Sequence, residues 1–283
     1  MDARGRATQE QLPEQLPEQL PERLPTSCSA PRPARVAPRR EGARLRKPVT
    51  LIAGQFGSPH YGTRPHLEAA MQLTRKAEPK ALYLGVASGD DASFGTALCA
   101  LLGAAGAVDV FWPKLAKRRR NEPVARKALD RVDFVFVGGG DVEAGMNVLR
   151  RAQLVAPLRA AAARGVVFAG MSAGAIMLGE RWIRWPRADA SDDEAETYEC
   201  LGVAPCSLDT HGEGDDWGEA RSFAAVRARE LHGKAKAYGI PSGGALIAGS
   251  GGKMRARGEP VPVFAASPRQ TAKIERTLPA EKG

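Results

Sequence analysis

Gly170-Met171-Ser172-Ala173-Gly174 sets a serine between two glycines in a G-x-S-x-G pattern. An apolar run, Val166–Ala169, precedes it, and a helical stretch, Ala173–Leu178, follows. In that context the glycines permit a sharp strand-to-helix turn that lifts the serine hydroxyl above a sheet. Such a serine performs acyl transfer once a base takes its proton. The Ala173 N–H, at the start of the helix, faces the oxyanion that develops. Gly138-Gly139-Gly140-Asp141 follows a second apolar run, and the bare backbone of its three glycines could supply a second oxyanion donor. Asp141 is placed to cap the next helix. The bland alternative is a glycine-rich turn with an incidental capping serine. A phosphate cradle is disfavoured, because the chain has no G-K-[ST] and no G-x-G-x-x-G with a downstream acid.

A serine nucleophile needs a base, and the chain holds four histidines. His60 and His66 fall after the first apolar run, and His232 ends a charged helical segment, where pairing with the helix C-terminus is its ordinary role. His211 closes a short apolar stretch within Leu208-Asp209-Thr210-His211-Gly212, and it is the expected base, with a surface histidine and His60 as alternatives. The order serine, acid, histidine suits a nucleophile on a mid-sheet elbow. The acid would hold the imidazole tautomer and stabilise the imidazolium. Asp189 is the first choice, with Asp192, Asp193 and Glu180 behind it, because six acids crowd into residues 189–199. For a substrate carboxylate, a guanidinium with bidentate geometry is wanted: Arg221 is the candidate, Arg64 the second, and surface roles compete for both. Trp182 and Trp185 could wall a pocket, although packing on the sheet is the commoner use.

The elements that must position these groups are short and regular. Val49–Ala53, Ala81–Val86, Val108–Phe111, Val132–Val137 and Val166–Ala169 read as strands. Segments with apolar residues three and four apart lie between them: 67–75, 92–102, 123–129 and 154–163. Near-continuous apolar strands alternating with amphipathic helices predict a doubly wound α/β domain, with a mostly parallel sheet and helices on both faces. Chemistry is then expected in the loops beyond the carboxyl ends of the strands.

Gln11–Pro25 repeats a four-residue unit with a proline in every copy, which neither a helix nor a sheet ladder can pass through. Residues 1–48 are accordingly expected to form a disordered, Pro-rich and basic tail, 49–270 the α/β domain, and 271–283 a C-terminal tail. Residues 1–50 carry ten basic and six acidic side chains, so they supply +4 of the formal +9. The remaining excess does not argue for nucleic acid, and Lys114–Lys127, with seven basic residues, has no stacking aromatics in its Lys117–Arg120 core. No apolar run approaches the ~20 residues of a membrane span, and the first thirty residues lack a secretory apolar core. A cytoplasmic location is the expectation. Cys28, Cys99, Cys200 and Cys206 have no C-x-x-C spacing and read as reduced thiols.

Val135-Phe136-Val137-Gly138-Gly139-Gly140-Asp141, then Gly170-Met171-Ser172-Ala173-Gly174-Ala175, then His211 in an Asp-x-His context, resemble the peptidase E and cyanophycinase family of serine peptidases. The likeness spans about residues 49–264 and includes Tyr238-Gly239-Ile240-Pro241 and Ala245-Leu246-Ile247, which look like the family's last sheet strands. It implies a class I glutamine amidotransferase-like (flavodoxin-like, three-layer) fold. It also implies Ser172 as nucleophile, His211 as base, and Gly139 and Ala173 as oxyanion donors. Relatives hydrolyse aspartyl dipeptides or a β-aspartyl-arginine polymer. The expected function is therefore hydrolysis of small, Asp-containing peptides, without metal or cofactor. A small peptide is the expected partner, neither membrane nor nucleic acid is expected, and a homodimer is left open. The alternatives are a serine esterase of the α/β-hydrolase type and an inactive binding protein on the same scaffold. Only 39 residues separate Ser172 from His211, which is short for the esterase fold. Where the family often has an acid after its Gly-Ile-x turn, this chain has Ser242-Gly243.

Overall fold

The computed structural model describes residues 45–54, 62–117, 121–187, 189–191 and 194–281. Five strands form the parallel part of the main sheet: β1 (Val49–Ile52), β2 (Lys80–Leu84), β3 (Asp109–Phe111), β4 (Phe134–Val137) and β5 (Val167–Met171), in the order β3-β2-β4-β5-β1. Every residue of β1, β4 and β5 is buried. Strands covered on both faces have no reason to alternate polar with apolar, which is why they stand out as continuous apolar runs. Along β4, Phe134 and Phe136 face one core, Val135 and Val137 the other. Helices α1 (Thr63–Gln72) and α2 (Ala92–Ala104) cover the first face through Leu67, Met71, Leu98 and Leu102. The opposite face is covered by α3 (Glu122–Ala128), α4 (Val142–Arg151), α5 (Val155–Arg164) and α6 (Ala173–Leu178). The three-layer α/β architecture is thus the one expected. Asp141 caps α4, its carboxylate accepting the Ala144 N–H at 2.6 Å.

Beyond β1 the main sheet continues with β10 (Ala245–Ala248) and β11 (Met254–Arg257), each antiparallel to its predecessor, and ends in β14 (Ala280–Glu281), parallel to β11. A second, four-stranded sheet runs β13 (Gln270–Leu278), β12 (Val261–Ser267), β9 (Ala235–Ile240), β8 (Leu208–Thr210), and α7 (Gly218–Leu231) packs on it through Phe223, Ala224 and Ala228 against Ala237 and Phe264. A hairpin of β6 (Arg181–Arg184) and β7 (Glu196–Glu199) completes the described strands.

Two features depart from the sequence reading. Residues 271–281, expected as a tail, are built into both sheets, because the turn after Ser267 returns the chain along β12. As an edge strand, β13 buries only Ala272 and relies on backbone pairing, so hydropathy gives it no signal. Secondly, β9 and β10 do not share a sheet: the chain crosses from the second sheet to the first at Pro241–Gly244. Among the described residues no helix is long and apolar enough to cross a membrane. The expected N-terminal tail lies outside them up to residue 44, as do Arg118–Arg120 of the basic block.

Candidate active site

Ser172 follows β5 with φ 52° and ψ −125°, a conformation that L-residues rarely adopt and that costs about 1–3 kcal/mol. Neighbouring backbone holds it there. Its N–H donates to the Ile52 carbonyl of β1 at 2.8 Å, and its carbonyl accepts from Ala175 and Ile176 as α6 begins. The flanking glycines are a condition of this turn: a Cβ at Gly174 would lie 2.1 Å from the Val137 carbonyl oxygen, and one at Gly170 2.5 Å from that of Gly174. Gly139, beyond the end of β4, stands against the elbow, where an added Cβ would sit 3.2 Å from Ser172 Cβ and 3.8 Å from Oγ. Ala173 opens α6, and leading N–H groups of a helix have no acceptor within it.

His211 follows β8 in the left-handed region, φ 64°, with its N–H donating to Ile240 of β9 at 3.3 Å. Its Nδ1 is 3.0 Å from Ser242 Oγ, in the crossing between the sheets. The Ser242 N–H in turn donates to Glu213 Oε1 at 3.0 Å. Burial pushes the Glu213 carboxyl up, but hydrogen bonds from the Ser242 hydroxyl, its own backbone and the Ser242 amide outweigh this and, with His211 nearby, hold it below the usual range. The crossing is also tied to the end of β1, since Gly243 N–H donates to Gly54 and Ala53 N–H to Gly244. A continuous set of backbone bonds therefore runs from Ser172 through the end of β1 to the residue that holds His211. His66 braces it from α1: its Nε2–H donates to the Gly243 carbonyl at 3.0 Å, and burial lowers the pKa of the ring.

The remaining candidates lie elsewhere or are engaged. Asp189 pairs with Arg187 at 3.0 Å and its side chain is 83% exposed, whereas the hydroxyl facing His211 Nδ1 is that of Ser242. Asp192, Asp193 and His60 lie outside the described residues. Glu180, at the turn into β6, bonds through its backbone to Cys206. The Arg221 guanidinium binds the Asp216 carbonyl and carboxylate and the Ala272 carbonyl, and it lies over the Phe264 ring. Its donors hold the start of α7 to β13, which leaves little of the fork for a substrate carboxylate. Arg64 pairs with Glu68 one turn along α1. Trp182 donates to Glu219 at 3.0 Å, and Trp185 packs against the core under α7. His232 is the C-cap residue of α7, in the left-handed region.

Sequence reasoning gave no role to Glu213, His66 or Asp209 and marked Ser242 only as standing where the family often has an acid. Asp209 turns toward α7, where burial and the Glu219 charge push its carboxyl up to about 7, against hydrogen bonds from the Thr210 and Ala220 amides. Burial raises Glu219 also.

The family model of peptidase family S51 matches residues 52–255, a span that contains the elbow, Gly139, His211 and Ser242. The chain belongs to peptidase family S51. Among solved structures, this S51 chain is similar to a peptidase from an acI-B1 actinobacterium, with a TM-score of 0.62 and 16% identity over 85% of this chain and 97% of that one. A putative peptidase E protein from Listeria monocytogenes EGD-e aligns with a TM-score of 0.53 and 16% identity, over 75% and 98% of the two chains. At that identity they speak for the fold. No curated protein matches the chain. As an S51 member it is a hydrolase of the serine-peptidase type, and its substrate is a peptide.

Proposed function

We propose that this S51 chain hydrolyses small, Asp-containing peptides through an acyl-enzyme on Ser172, with His211 as general base. The observation that carries the reading is the strained Ser172 on its glycine-flanked turn, pressed against Gly139. Strain held at a single half-buried serine costs stability and is retained where it serves a reaction. His211 Nε2 takes the Ser172 proton as Oγ bonds to the scissile carbonyl carbon, and the Gly139 and Ala173 N–H groups stabilise the oxyanion. The C–N bond then breaks, the amine leaving with the proton from His211. Water, deprotonated by the same imidazole, releases the acid and restores Ser172. The Asp preference rests on the resemblance of the Gly138–Asp141 and Gly170–Ala175 motifs to aspartyl peptidases of this type.

The test is a dipeptide panel run on wild type and Ser172→Ala in parallel. Cleavage of Asp-containing members, with kcat lowered at least ~10^4-fold in the variant, is expected. Equal activity of the two proteins refutes the nucleophile. Turnover of p-nitrophenyl acetate with no peptide cleaved refutes the substrate class.

A further inference from the structure

A base that gains a proton during the reaction needs more than an acceptor at its far nitrogen: it needs negative charge to offset the imidazolium. The acceptor at His211 Nδ1 is the Ser242 hydroxyl, which is neutral. The charge lies one bond further on. Glu213, two residues beyond His211 in the short 3-10 turn Gly212–Gly214, accepts from both the backbone and the hydroxyl of Ser242. We propose that Glu213 is the carboxylate of this site, acting on His211 through the Ser242 hydroxyl.

The proposal rests on the function proposed above. A hydroxyl has one proton and two lone pairs. With its proton donated to Glu213, Ser242 Oγ presents a lone pair to His211 Nδ1–H, which fixes the tautomer that leaves Nε2 free to accept. No proton moves along this path: Nδ1 keeps its hydrogen throughout, and only Nε2 gains and returns one. The Glu213 carboxylate stays ionised and polarises the intervening O–H toward itself, making Ser242 Oγ a better acceptor when His211 is charged. The Ser242 N–H bond to Oε1 fixes the carboxylate in place, and the Gly243–Gly54 bond fixes the serine. Glu213 is a positioning residue, and because it is solvent-exposed its effect is about tenfold, at the lower end for groups acting through another side chain.

The rate of Ser172 labelling by a fluorophosphonate reads base strength without a known substrate. Full-length wild type, Ser172→Ala, Glu213→Gln, Ser242→Ala and the double variant Ser242→Asp/Glu213→Gln would be compared, with circular dichroism checking each fold. Expected are no labelling for Ser172→Ala, labelling about tenfold slower for Glu213→Gln and for Ser242→Ala, and recovery to within a few-fold of wild type in the double variant. That variant moves the carboxylate directly onto Nδ1, so its recovery separates a supply of charge from a mere brace for the loop. Labelling of Glu213→Gln at the wild-type rate overturns the proposal, as does a double variant as slow as Glu213→Gln, while either result leaves the Ser172 reading intact. Labelling that survives Ser172→Ala refutes the nucleophile itself.

Discussion

Replacing Asp209 by asparagine should change how the fold responds to pH. Asp209 is 6% exposed, and its carboxyl titrates at about 7 in the folded chain against an ordinary 3.8. Between those values the native state holds a proton that the unfolded chain has released. Unfolding free energy must therefore fall as pH rises, by up to 1.36 kcal/mol per pH unit. Over the 3.8-to-7 window the whole effect is at most about 4 kcal/mol, fully present below the lower value and lost above the upper one. Glu219, also raised, acts in the same direction, while Glu213 and Glu230, held low, act in the opposite one. The difference between two proteins isolates Asp209 from these. Urea unfolding of wild type and Asp209→Asn at pH 5, 6, 7 and 8 is the assay. The variant should gain about 2.5 kcal/mol relative to wild type between pH 5 and 8, because an amide cannot ionise. A difference between the two that stays constant over that range refutes burial as the dominant influence on this carboxyl.

Three further substitutions probe the elbow and the core. Gly139→Ala should slow fluorophosphonate labelling at least about tenfold while the melting temperature moves little, since the new Cβ meets Ser172 Cβ at 3.2 Å and small shifts relieve it. Gly174→Ala should fail to give a folded soluble protein, because its Cβ would stand 2.1 Å from backbone oxygen of β4 that cannot retreat; a normal circular dichroism melt would refute this. Asp90→Ala should cost about 3 kcal/mol in urea unfolding, for the buried carboxylate accepts Trp112 Nε1–H at 2.8 Å and the Ala116 N–H at 2.6 Å, and both donors would be stranded.

The main sheet is legible in the sequence because β1, β4 and β5 are buried on both faces, so their residue types carry the whole signal. The elbow is legible for a related reason: Gly170 and Gly174 are dictated by backbone atoms a few ångströms away, and few other residues fit. The second sheet is not. β8 is three residues long and β13 is an edge strand with a single buried side chain, so neither leaves a period to read. The order serine, acid, histidine places the partner of His211 among the acids between Ser172 and His211. The hydroxyl that meets Nδ1 instead comes 31 residues after the histidine, through a crossing between sheets that only the tertiary structure defines. Pro241-Ser242-Gly243-Gly244, a turn-prone break between two apolar strands, and the resemblance that puts Ser242 where the family often has an acid, are its signs in the sequence. Glu213 is equally inconspicuous, one more acid in a polar turn.

The crossing at Pro241–Gly244 makes the site a product of assembly. Ser172 rides on the first sheet, His211 on the second, and Ser242, which meets His211 Nδ1, belongs to a crossing whose backbone bonds to the end of β1. A chain in which either sheet is incomplete carries a serine with no base held by Ser242. On the proposed mechanism hydrolysis requires both sheets, so a half-folded chain is expected to leave the peptides around it intact.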